Sequence, residues 1–255
     1  MKKTFLQSLA LLAAVLVLSS SALAQTEATA KAVTDGVKDA TPAVAITATT
    51  APMDLARAAL AAQGGEKFKN LKNMVLRGSA NLYAPNSTQS IPGGFVMAIA
   101  GDKLILEVDA RPMFNLKQIF DGQRSYSSMP GFDMPAASKF GLPVLAKFDQ
   151  PGYTVSALPD NKKKQRSFRI VDSEGNTTDF YLDTATGRAT TLLVPYNGYT
   201  FGIENTKSKV LDGVLVPVEF TWRLETRQGA FFAEFKVKDV KLNQALGDDV
   251  FAMPN

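Results

Sequence analysis

Apolar and polar residues alternate along most of this chain, and the alternation is clearest between Thr178 and Val240. Phe180 and Leu182 lead into Asp183-Thr-Ala-Thr-Gly187, a turn. Leu192 and Val194 follow, then Tyr199, Phe201 and Ile203. After Asp212-Gly213, the residues Val214, Val216, Val218, Phe220, Trp222 and Leu224 keep a strict period of two. Gln228-Gly229 turns the chain again before Phe231, Ala233, Phe235 and Val237. Period-two alternation bounded by Gly and Asp predicts an antiparallel sheet with one buried face.

The same pattern begins earlier. Met74, Leu76, Ala80 and Leu82 face one way, and Arg77, Ser79 and Asn81 the other. Phe95, Met97 and Ile99 alternate up to Gly101-Asp102, and Leu104, Leu106 and Val108 continue beyond it. Leu116 to Phe120 and Arg124 to Ser128 flank Asp121-Gly122, a hairpin signal. Tyr153 to Val155 and Gln165 to Val171 resume strands around the basic run Lys162-Lys163-Lys164. These segments predict roughly ten or eleven strands. An antiparallel sheet of that size curls toward a barrel, and its concave side fills with side chains or holds a ligand.

Two segments depart from the strand period. Pro52 to Ala62 reads as a helix, with Pro at its first position, Asp54 in its first turn and Gly64-Gly65 at its end. Such a helix plugs or flanks a sheet. Met129 to Gln150 is apolar yet interrupted by Pro130, Pro135 and Pro143, so it is no central strand. It reads as a loop with short helices lying over an apolar surface.

The N-terminus adds a destination. Lys2-Lys3, the apolar run Leu6 to Leu18 and Ala22-Leu23-Ala24 have the form of a signal peptide spanning residues 1–24 and cleaved after Ala24. The run is short for a membrane anchor, which needs roughly 20 apolar residues. No transmembrane segment is therefore expected in the mature chain, and a bacterial periplasm is the expected compartment. Residues 25–51, rich in Ala and Thr, read as a disordered linker, and residues 52–255 as the folded domain.

Composition narrows the chemistry. Without the two lysines of the leader, 26 Lys and Arg oppose 24 Asp and Glu, a net charge of +2 that gives no nucleic-acid footprint. Cysteine and histidine are absent, which excludes disulfides, thiol nucleophiles, His-based triads and His/Cys zinc sites. No Gly-x-Ser-x-Gly elbow, phosphate-binding glycine loop or dinucleotide fingerprint occurs. The carboxylates, among them Asp121, Asp172, Asp183 and Asp212, sit mostly in turns, where Asp caps the local backbone. The expectation is a protein with no catalytic residues, no metal and no cofactor. What remains is an apolar surplus of sixteen Phe, eight Met and one Trp. It suits either a packed core or a deformable surface for flexible apolar ligands, and composition does not separate the two.

Four stretches together resemble one family, the LolA/LolB-like periplasmic lipoprotein carriers and the wider group of outer-membrane lipoprotein-sorting proteins. Leu60-Ala-Ala-Gln-Gly64-Gly65-Glu-Lys-Phe-Lys-Asn-Leu71 resembles the family's helix, double glycine and short second helix. Ile119-Phe-Asp121-Gly122-Gln-Arg-Ser-Tyr126 is similar to its Asp-Gly hairpin ending in an aromatic. Asp212-Gly213-Val-Leu-Val-Pro217 is similar to the approach to a late strand. Lys238 to Asn243 and Asp249-Val-Phe251-Ala-Met-Pro254 resemble its last strand and Phe-x-x-Pro tail. Where the best-known carriers have a basic residue followed by Pro, this chain has Ala100-Gly101-Asp102-Lys103.

The resemblance implies a mainly β fold with a few helices (α+β): a half-open, strongly curved antiparallel β-barrel with an N-terminal helix and a helical lid. It implies acyl chains of lipoproteins or lipids as ligands, with inner- and outer-membrane donor and acceptor proteins as partners. A cavity lining then follows from the alternation: Met74, Leu76, Phe95, Met97, Ile99, Leu104, Leu106, Phe201, Ile203, Val218, Phe220 and Trp222. Phe132, Met134, Phe140, Leu142, Leu145 and Phe148 would form the lid. The alternative is a periplasmic lipid-sensing or protein-interaction module without transport.

Overall fold

A computed structural model of the chain describes residues 45–129, 139, 141–159, 165–196, 198–226 and 229–254. The expected signal peptide, most of the linker, the three-lysine run and the lid residues Phe132, Met134 and Phe140 lie outside these. Two helices come first, α1 (Pro52–Gln63) and α2 (Glu66–Lys69). Five strands follow: β1 (Met74–Tyr83), β2 (Ser90–Ala100), β3 (Lys103–Ala110), β4 (Phe114–Phe120) and β5 (Ser125–Ser127). A single-turn helix α3 (Leu142–Leu145) precedes seven more strands. These are β6 (Thr154–Ala157), β7 (Arg166–Val171), β8 (Thr177–Leu182), β9 (Ala189–Tyr196), β10 (Tyr199–Leu211), β11 (Val214–Thr226) and β12 (Gly229–Leu242). A 3₁₀ turn, Asp248–Phe251, closes the chain.

All twelve strands belong to one antiparallel sheet in the order β5-β4-β3-β2-β1-β12-β11-β10-β9-β8-β7-β6. Two meanders, β1 to β5 and β6 to β12, meet where β1 pairs with β12. The outer strands β5 and β6 pair with one neighbour each, so the sheet is curled and open. Each of the twelve falls on a segment that the sequence pattern marks, β5 and β6 included, although these two have only three and four residues. Short edge strands carry little period and also limit edge-to-edge association. Register shifts bend the long strands, in β1 between Arg77 and Gly78 and in β10 between Asn205 and Ser208.

The main core lies on the concave face. Phe168 and Phe180 stack there with ring centroids 5.0 Å apart, and Leu76, Leu106, Ile170, Leu182, Leu192 and Val216 are fully buried around them. Helix α1 packs against β6, β7 and β11 through Leu55, Ala56, Ala59 and Leu60. Burial of a Leu side chain contributes roughly 1.5–3 kcal/mol, so Leu55 and Leu60 anchor the helix. Its C-terminal end meets the β10–β11 hairpin: Gln63 Nε2 donates to the Leu215 carbonyl. A Cβ on Gly64 would lie 2.6 Å from the Gly213 carbonyl oxygen, and φ there is 123°, so this contact requires glycine. The helix is the plug that the sequence predicts.

Residues 45–51 differ from the linker expectation. Ile46 packs on the concave core, and Arg166 Nη2 donates to the Thr50 carbonyl at 3.0 Å. The segment has too little apolar content to register by composition, yet one Ile and one backbone acceptor hold it.

The convex face carries a second core. Val75, Ala98, Ile105 and Ile119 point outward from β1 to β4 and are covered by Phe251, with Leu246, Val250 and Met253 packed beside it. The tail is set in place by paired contacts at the start of β1. Asn73 Nδ2 donates to the Gln244 carbonyl at 2.8 Å, and Gln244 N donates to Asn73 Oδ1 at 3.0 Å.

Candidate functional site

Along β11, α1 occupies the end near Leu215, and the apolar cavity occupies the other end, at Trp222 and Leu224. The cavity measures about 190 Å³. One wall is formed by Leu82, Leu106, Val108, Phe114 and Leu116 of the first meander, the other by Phe201, Trp222, Leu224, Phe231, Ala233 and Phe235 of the second. Met129, just after β5, closes a further side. Among the described residues no charged side chain lines it. One lining side chain, Phe231, is 41% exposed at the mouth. Tyr83 carries the nearest polar handle, its hydroxyl donating to Glu234 Oε2 at 3.1 Å. Burial, and then this carboxylate, raise the Tyr83 pKa above its ordinary value, so it stays a neutral donor at any physiological pH.

A smaller apolar cavity of about 70 Å³, also open to solvent, lies further along the concave face toward α1 and is the inner one in that sense; it is lined by Met74, Leu76, Met97, Ile99, Leu104, Leu142, Ile203, Phe220 and Trp222. Trp222 borders both spaces. Between them lies an aromatic layer. Trp222 stands edge-on to Phe201 and to Phe235, both at 5.2 Å; Phe220 stacks on Phe235 at 4.8 Å; and Phe95 is edge-on to Phe235 at 4.9 Å.

The sequence-derived lining divides accordingly. Leu106, Phe201 and Trp222 border the open cavity. Met74, Leu76, Met97, Ile99, Leu104, Ile203 and Phe220, again with Trp222, border the inner one. Phe95 belongs to the aromatic layer and is 4% exposed. Val218 is the exception: it falls outside the concave cluster and is only half-buried. The β10–β11 register steps from Glu219 to Pro217 and leaves Val218 unpaired, a bulge that strict alternation does not foresee. Of the lid residues, Leu142 borders the inner cavity, while Leu145 and Phe148 are buried in the concave core.

Most of the open cavity's wall was absent from that lining. Leu82, Val108, Leu116, Leu224, Phe231, Ala233 and Phe235 continue the same alternating series toward the far ends of their strands. Alternation gives the face of a strand and not the depth along it. Only the position of α1 decides which end stays open.

Among the described residues, the connection between β5 and β6 is tied to the rest by three ion pairs. Lys139 meets Glu174, Lys147 Nζ lies 3.0 Å from Asp102, and Asp149 lies 2.6 Å from Lys69. The Lys69 ammonium holds the Asp149 carboxyl below its ordinary value. Asp102 is the acid of the β2–β3 turn, and the connection supplies the cation that meets it. Three of the turn carboxylates cap backbone as expected: Asp121, Asp172 and Asp183 each accept two backbone N–H groups. Among the described residues no cluster of three or more Asp or Glu gathers as a metal site. Among them, too, no helix is long and apolar enough to cross a membrane.

No family model matches the chain, and no curated protein matches it in sequence. Solved structures do. A LolA superfamily protein from Nitrosomonas europaea superposes with a TM-score of 0.51 at 11% identity, covering 80% of this chain and 98% of that one. A DUF1329 family protein from Desulfovibrio piger gives 0.47 at 9% identity, over 80% and 98%. A Vibrio parahaemolyticus domain, provisionally described as an outer membrane lipoprotein-sorting protein, gives 0.42 at 14%, over 77% and 97%. The chain thus has the LolA-like fold: a curled, open antiparallel sheet with few helices.

Proposed function

We propose that this protein is an exported carrier that holds acyl chains of lipids or lipoproteins in the concave cavity and shuttles them across the periplasm toward the outer membrane. One observation carries the reading. A LolA-like sheet keeps an apolar cavity open at the end opposite its plug helix, with Phe231 exposed at its mouth and, among the described residues, no charge in its wall.

The physical need for such a cover is large. Each buried methylene contributes roughly 0.8 kcal/mol, so a sixteen-carbon chain is worth on the order of 12 kcal/mol when taken out of water. Tails need no polar recognition, which accounts for a site built from rings and aliphatic side chains alone. A carrier needs no catalysis, and its natural partners are a membrane donor and a membrane acceptor.

Uptake of an apolar fluorescent dye tests the reading. The protein should take up the dye with saturation, and Leu224→Asp should abolish uptake while far-UV circular dichroism stays unchanged. Leu224 is only half-buried at the mouth, so the carboxylate is tolerated by the fold but places a charge in the wall. Undiminished uptake by the folded variant would refute this cavity as the site.

A further inference from the structure

The open cavity and the inner one share an aromatic partition. Trp222 forms part of both walls, and its ring is held by Phe201 and Phe235 at 5.2 Å and by Phe220 at 6.2 Å. Rings contacted on several sides move less freely than the methionines and leucines of the inner cavity, because each has two side-chain torsions and all are coupled. The space above the partition, about 190 Å³, is smaller than the roughly 300–1,000 Å³ of sites that enclose a drug-sized ligand.

We infer that the aromatic layer is a floor that sets how deeply a chain enters, and that the site takes one medium-length acyl chain, not the several chains of a lipoprotein anchor. This rests on the acyl-carrier reading above and names the class of cargo within it. Trp222 is the specificity-determining residue. While a chain still finds apolar wall, each methylene raises affinity about fourfold. Beyond the floor, further methylenes stay in water and add nothing. Affinity therefore climbs with length and then levels off.

Two substitutions shift that limit in opposite directions. Trp222→Leu removes the shared wall and joins the open cavity to the 70 Å³ behind it. Ala233→Leu keeps the indole, which lies directly across the β11–β12 ladder from it, and fills part of the open cavity. The experiment is displacement of an apolar dye from the full-length protein by straight-chain fatty acids from hexanoate to palmitate, each below its micelle concentration. The unaltered protein should reach its affinity plateau before palmitate. Trp222→Leu should move the plateau to longer chains and Ala233→Leu to shorter ones. Affinity that rises about fourfold per carbon through palmitate in the unaltered protein overturns the floor, as does one plateau common to all three proteins. Failure of the unaltered protein to bind dye or any fatty acid overturns the carrier reading itself, and this inference with it. The opposite shifts keep the test decisive even where Trp222→Leu lowers stability, since Ala233→Leu must still shorten the limit.

Discussion

Gly78 sits where β1 shifts register against β12, and a Cβ there would lie 2.0 Å from the Lys236 carbonyl oxygen. That close approach is a consequence of the bulge, and it explains why a strand otherwise built from Val, Leu and Asn carries a glycine. The sequence shows the glycine but not its partner, because Lys236 is remote along the chain. Val218 teaches the complementary lesson: its parity matched its neighbours, and a bulge removed it from the face. A second residue-level feature belongs to the β3–β4 hairpin. Arg111 donates from Nε and Nη2 to the two oxygens of Asp109, at 2.9 and 2.6 Å, beside the exposed Met113. The guanidinium, joined by the Arg111 backbone N–H, lowers the Asp109 carboxyl from 3.8 to about 2. A depressed folded-state value means that the pair supports the β3–β4 hairpin fully above about pH 4 and loses that support as pH falls through about 2. An NMR carboxyl titration should place the Asp109 midpoint near 2 and move it up toward the ordinary value in Arg111→Ala. An unchanged midpoint in the variant would show that the pair does not form in solution.

The elements were legible to the extent that a single period described them. Concave-facing residues on β1, β2, β3, β11 and β12 were correctly aligned because one face is buried and the other polar over most of their length. The convex core was not read, although its signal is present. Met74-Val75-Leu76, Val96-Met97-Ala98-Ile99 and Leu104-Ile105-Leu106 are apolar at consecutive positions, as expected where both faces of a sheet are covered. The cover is the C-terminal tail, and its key residue is Phe251, 8% exposed, with Lys103 Nζ 5.9 Å above its ring. Phe251→Ala should lower unfolding stability by about 3–5 kcal/mol in denaturant titration, the usual range for a buried Phe truncated to Ala. Because the tail lies on the face opposite the cavity, dye uptake by the folded fraction should stay unchanged. A loss below about 1 kcal/mol would mean that the tail is not a structural part of the sheet.

At the scale of the molecule, the LolA-like architecture follows from a few causes. Two meanders joined through β1 and β12 make one long sheet; bulges curl it; α1 fills one end; and the β5–β6 connection packs Val144, Leu145 and Phe148 between the meanders. The cavity is what these parts leave uncovered. The resemblance in sequence pointed to this architecture through the double glycine, the Asp-Gly hairpins and the tail. The cavity's location had to come from three dimensions, since plug, partition and mouth are set by contacts between residues far apart in the chain. The central claim is that the uncovered apolar space holds an acyl chain in the cell. Native mass spectrometry of the protein, purified without detergent and followed by organic extraction, tests it most directly. The account predicts a one-to-one complex whose extract contains an acyl species. A clean apo mass, with no uptake of added fatty acid or apolar dye, would contradict it and leave the concave face an ordinary core.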